Sequence, residues 1–156
     1  MLMACALGVR LQKLSSEKWP VAEWVILGDA PMAVRASGTI VPPRSYSAAD
    51  ALRHLHEKVF GTVRDNDVKK AVVWEVEGNA RMNAAMRPRF RAEGVAMTAA
   101  ALGGAVASLA AWREIQSLAG ASSAKDEYET ATIVCGISVG SADPLAVLVA
   151  IAAMKS

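Results

Sequence analysis

Lys69 to Gly78 reads KKAVVWEVEG: a basic lead-in, four apolar residues, then Glu75 and Glu77 around one valine. The run Ala71 to Trp74 is short, rich in β-branched residues and unbroken, the pattern of a strand buried on both faces of an α/β sheet. In open α/β sheets ligands collect outside the carboxyl ends of the strands, so an acid at that edge is placed to face a site. Residues two apart on a strand share a face, which points Glu75 and Glu77 the same way, opposite Trp74 and Val76. One of the two is the leading candidate for a functional carboxylate. The plainer alternative is a pair of solvated edge acids.

A second stretch carries the opposite charge. NARMNAAMRPRFRAEG holds Arg81, Arg87, Arg89 and Arg91 with no acid between Gly78 and Ala92. Arginine forks suit phosphate oxygens, and a helix opening near Pro88 would add backbone donors at its N-terminus. The alternative here is a solubilising face beside an acidic partner. His54 and His56, two apart on a helix, splay and cannot share one metal with Glu57, so they are read as surface or boundary residues. Cys5 and Cys135 each sit in an apolar run and are expected to be buried thiols of a reducing compartment.

The elements that must position these groups follow in order. Met1 to Leu11 is a first, central strand, Glu23 to Leu27 a second, and Met32 to Val41 a third. Short connections such as Gly28-Asp29-Ala30-Pro31 make the three an antiparallel meander. Pro42-Pro43 stops the sheet, and Ser47 with Asp50 opens a helix by a capping box, with a buried stripe through about Phe60. Gly61 to Lys70 leads to the fourth strand, the crossover making it parallel to a strand already laid down. Phe90 to Leu102 is an apolar helix, Ala105 to Ala110 a fifth strand, and Trp112 to Gln116 leads away from its end. Ser122 or Ser123 with Asp126 caps a further helix with Ala124, Tyr128, Ala131 and Cys135 inside. Asp143-Pro144 opens a last helix through Ala153.

A chain of 156 residues, 53% hydrophobic and 21% charged, describes one folded domain, 1–156, with a real core. A formal charge of +2 permits nucleic-acid binding without demanding it. The N-terminal run is too short for a secretory leader, and the longest uncharged run, Val95 to Trp112, is interrupted by Gly103-Gly104, so no membrane span and a cytoplasmic location are expected.

In this order of elements the chain resembles the RuvC-type Holliday-junction resolvases of the ribonuclease-H-like fold. Three places carry the resemblance: Ala71-Val-Val-Trp-Glu75-Val, similar to a fourth strand ending in a catalytic glutamate; Arg91-Ala-Glu-Gly-Val-Ala-Met-Thr-Ala-Ala, similar to the helix after it; and Ser141-Ala-Asp143-Pro-Leu-Ala-Val-Leu-Val-Ala, similar to a last helix whose first turn holds a catalytic aspartate. The resemblance implies a five-stranded mixed sheet, three antiparallel strands then two parallel, flanked by helices. It implies Glu75 and Asp143 as catalytic and magnesium-binding residues, Lys125 near the substrate backbone, branched or double-stranded DNA as partner, and a homodimer.

The departures are as informative. The family's first-strand aspartate should fall near Gly8, Val9 or Arg10, and Arg10 stands in its place, where it would repel magnesium. The acid one turn before Asp143 is replaced around Gly140. Two-metal cleavage needs carboxylates holding two ions about 4 Å apart, and Glu75 and Asp143 are two of four. Glu77, Asp126 or Glu127 would have to rebuild the set. Two readings stay open: a degenerate nuclease that binds nucleic acid, in which Arg10 pairs with Glu75, and an active magnesium-dependent endonuclease with a rearranged carboxylate site.

Overall fold

The computed structural model describes residues 4–29, 31–75, 86–120 and 140–156. Five strands form one sheet in the order β3-β2-β1-β4-β5. β1 (Cys5–Gln12) lies at its centre and pairs antiparallel with β2 (Val21–Gly28) from Cys5 opposite Gly28 to Gln12 opposite Val21. β2 pairs antiparallel with β3 (Ala33–Ile40), with a register irregularity at Ile26/Leu27. β4 (Lys70–Trp74) runs parallel to β1, and β5 (Val106–Ala110) runs parallel to β4. The meander and the two parallel strands stand as the sequence predicts.

Between β3 and β4 runs α1 (Ala48–Asp65). The Asp50 amide donates to Ser47 Oγ at 3.1 Å, which closes the predicted cap. Its buried stripe is Ala51, Leu55, Val59 and Val63, so the helix continues a full turn past Phe60. Gly61 is an ordinary helical position here, since an added Cβ would meet nothing nearer than Asp65 Oδ2 at 4.0 Å. The helix stops at Asn66, followed by Asp67 at φ 50°, a left-handed conformation that Asp tolerates better than most residues.

α2 (Arg87–Leu102) starts where Pro88 placed it. A helix that the sequence reading left as a lead-away, α3 (Trp112–Ala119), follows β5; it buries Ile115 and Ala119 and ends at Gly120, φ 78°. α4 (Pro144–Lys155) closes the chain and buries every residue from Ala146 to Ala153, as a helix apolar on all sides must.

The sheet separates two cores by simple alternation. Leu7, Val9, Leu11, Ile26, Ala71 and Val73 pack with α1 and α2 on one face. Ala6, Val25, Leu27, Val72 and Ala110 pack with α3 and α4 on the other. Gly8 belongs to the second face and lets α4 come down onto β1: a Cβ there would lie 2.2 Å from Ala150 N and 2.6 Å from Ala146 O. Cys5 is half-buried, less enclosed than its apolar run suggested. No helix among the described residues is long and apolar enough to cross a membrane.

Candidate functional site

The carboxyl ends of β1 and β4 meet the start of α4 on the face that Gly8 shares. Arg10, two residues on from Gly8, points the same way. Its Nη1 donates to Asp143 Oδ2 at 3.0 Å, and the two side chains are only 22% and 16% exposed. The same carboxylate oxygen caps α4, accepting from the Ala146 amide at 3.3 Å. An aspartate followed by proline at the first helical position is a strong N-cap, and its charge also meets the positive end of the helix dipole. Asp143 is thus held by two donors before any ligand arrives.

Arg10 also lies over the Trp74 ring, 5.8 Å from its centroid, and Trp74 packs on Trp112 at 4.8 Å with 33° between the planes. The tryptophan at the end of β4 and the one opening α3 therefore form a wall beside the guanidinium. From the other face α2 brings Arg89, whose Nε lies 3.5 Å from Glu93 Oε1, one turn along. That is ion-pair range, although Nε makes no hydrogen bond. Glu93 is almost fully buried, at 2% exposure. Burial pushes the Arg89 pKa below the usual guanidinium range; Glu93 opposes the shift and the Arg10 charge adds to it.

Glu75 follows the last residue of β4, half-buried, with its amide donating to the Ala110 carbonyl at 2.8 Å. The expected Arg10–Glu75 pair does not form; among the described residues Arg10's ion pair is with Asp143. Alternation explains this. Val72 and Trp74 face α4 with Arg10, while Glu75 follows in the phase of Ala71 and Val73. Arg87 and Arg91 are exposed on the first two turns of α2, which carry no acid in the first turn. Glu77, Arg81 and Lys125 lie outside the described residues, as do Ser122, Ser123, Asp126, Glu127 and Cys135. His54 packs on Tyr46 and His56 stacks on Phe60, consistent with boundary positions.

The described residues do not fit a divalent metal. No three His, Cys, Asp or Glu side chains among them gather as a metal-holding group. The one acid at the start of α4 is already neutralised by an arginine. What the arrangement can do is present guanidinium groups and indole faces at a sheet edge, a surface suited to phosphates and bases. The sequence reading missed the two tryptophans and Glu93. The 74/112 pair carries no local signal, because its partners belong to different elements.

No protein-family model matches the sequence, and no curated protein matches it. Solved structures do. The chain is similar to Thermus thermophilus RuvC in complex with Holliday junction substrate, with a TM-score of 0.75 and 13% identity, covering 96% of this chain and 91% of that one. It is similar to a second Thermus thermophilus RuvC structure with a TM-score of 0.72 and 12% identity, covering 95% and 92%. With its sheet order and this match over nearly its whole length, the chain has the ribonuclease-H-like fold of the RuvC structures.

Proposed function

We propose that the protein is a RuvC-like scaffold that binds nucleic acid through its arginines and no longer carries out two-metal cleavage. The observation that carries this reading is the Arg10–Asp143 ion pair, which puts a fixed cation on the carboxylate a metal would need. Support for a nucleic-acid partner comes from the exposed Arg87 and Arg91 at the start of α2. It comes also from a structural neighbour that was solved with a Holliday junction. Branched or double-stranded DNA is therefore the substrate class to test.

The alternative is a magnesium-dependent endonuclease built on Glu75, Asp143 and Glu77, with Lys125 at the phosphate. It requires Arg10 to leave Asp143. Calorimetric titration of magnesium and manganese into the wild type, Glu75→Gln and Asp143→Asn separates the two. The expected result is no specific binding, alongside salt-sensitive binding of four-way and linear DNA by fluorescence anisotropy. Metal binding that both substitutions abolish would establish the endonuclease instead.

A further inference from the structure

On the α1/α2 side of the same sheet edge lies a shallow apolar recess that encloses only about 50 Å³ and is otherwise open to solvent. Its lining includes Trp19, Pro42, Leu52, Leu55, Pro88 and Arg91. The Trp19 indole donates to the Tyr46 carbonyl at 3.2 Å, which fixes the ring against the loop before α1. Prolines and leucines complete the apolar recess, whose open mouth leaves the part of a flat ring that does not enter it lying against the surface.

The charge around the slot is positive. The Lys18 ammonium sits 4.9 Å from the Trp19 ring centroid. Arg44, exposed in the loop after β3, donates from Nη1 to the Ser16 carbonyl at 2.8 Å, and Arg91 reaches the slot from α2. Both Arg91 and Lys18 are exposed. Of the acids on neighbouring elements, Asp50 pairs with Arg53, and Glu23 accepts from Thr39. Arg91 lines the recess from the start of α2, and Arg89, two residues earlier, is near enough to Arg10 to feel its charge.

An aromatic slot rimmed by cations is the surface that takes an unstacked base while holding the phosphates beside it. We infer that the Trp19 recess seats a single unpaired base of a nucleic-acid strand whose backbone runs past Arg91 toward Arg10. This rests on the nucleic-acid reading above.

The test compares a labelled perfect duplex with the same duplex carrying one unpaired thymidine, by anisotropy. The wild type is expected to prefer the bulged duplex by about fivefold or more, the scale of one base–aromatic stack. Trp19→Leu should abolish the preference and Trp19→Phe should keep most of it. Should Trp19→Leu fail to fold, Ala48→Phe serves: it fills the recess from an exposed lining position and should erase the preference too. Equal binding of both duplexes by the wild type, or a preference that survives in a folded Trp19→Leu or Ala48→Phe, overturns the inference while leaving the nucleic-acid reading intact. Failure to bind either duplex overturns that reading and the inference with it.

Discussion

Arg10 and Asp143 are 133 residues apart in the chain and 3.0 Å apart in space. The contact ties the central strand to the last helix at the carboxyl edge of the sheet. It also gives one carboxylate two tasks, since Asp143 Oδ2 caps α4 while it pairs with Arg10. The variants of these two residues can be read separately for each task.

Arg10→Ala should lower stability by about 1–3 kcal/mol, between the small worth of exposed ion pairs and the larger cost of breaking a buried one. For a chain of this size that is a fall of about 2–10 °C in Tm. Asp143→Asn keeps a capping oxygen and loses the charge. Asp143→Ala loses both and should cost about 1 kcal/mol more. Differential scanning calorimetry checks the order; an unchanged Tm for Arg10→Ala would remove the pair as a structural tie.

Arg10→Asp replaces the cation with a second carboxylate beside Asp143. Without metal, like-charge repulsion should make this variant less stable than Arg10→Ala. Millimolar manganese should then raise its Tm and leave that of the wild type unchanged, because a ligand that binds only the folded state stabilises it. Metal-independent melting of the variant would show that this edge cannot hold a divalent ion even with the arginine gone.

Arg87→Ala and Arg91→Ala alter exposed side chains, so each should move stability by less than about 0.5 kcal/mol. If each neutralises one phosphate, each should reduce the slope of log K against log salt for duplex DNA by about 1. Anisotropy titrations across a salt series measure it. Unchanged slopes would move the backbone track away from α2.

Asp50 gives an acid-side signature. Its pKa is held below the usual 3.8 by the hydrogen bond to Arg53, and next by Ser47. A carboxyl depressed on folding stabilises above its unfolded pKa, and that contribution fades as pH falls through the folded value. The Tm gap between wild type and Asp50→Asn should therefore be present at neutral pH and close as pH drops below about 4. A gap independent of pH would show that the carboxylate charge does not supply it.

Much of this fold is legible locally. The run Ala71 to Trp74 is apolar without period because β4 is covered by helices on both faces. Ser47 and Asp50 open α1 by geometry that needs only neighbours, and so do Asp143 and Pro144 for α4. The sequence reading ended the α1 stripe near Phe60 and began the connection at Gly61, whereas Val63 carries the stripe onward. α3 was missed because it is eight residues long and has no side-chain cap at Ala111; only Ile115, Ala119 and Gly120 announce it.

The site was less legible, for a different reason. Which acid meets Arg10 depends on strand phase and on how close α4 sits to β1, and neither is written within a window of sequence. Glu93 follows Arg89 at the spacing of a solvated helix pair, yet it is buried. Ala92, Ala96, Ala99 and Ala100 let α2 sink against its neighbours, and the longer side chain among them is covered with it. Small residues set depth, and depth decides which charges see water.

The absence of a side chain at Gly8 carries a kinetic consequence. With the α4 backbone resting where a β-carbon would be, the helix and the strand pack in direct backbone contact, which should hold the start of α4 against the end of β1. A phosphate that draws Arg10 off Asp143 has only side-chain rotation available to it, a matter of picoseconds to nanoseconds rather than a collective motion. Partner exchange at this edge should therefore show no lag: binding would proceed at the rate of encounter, with no slow opening step before it.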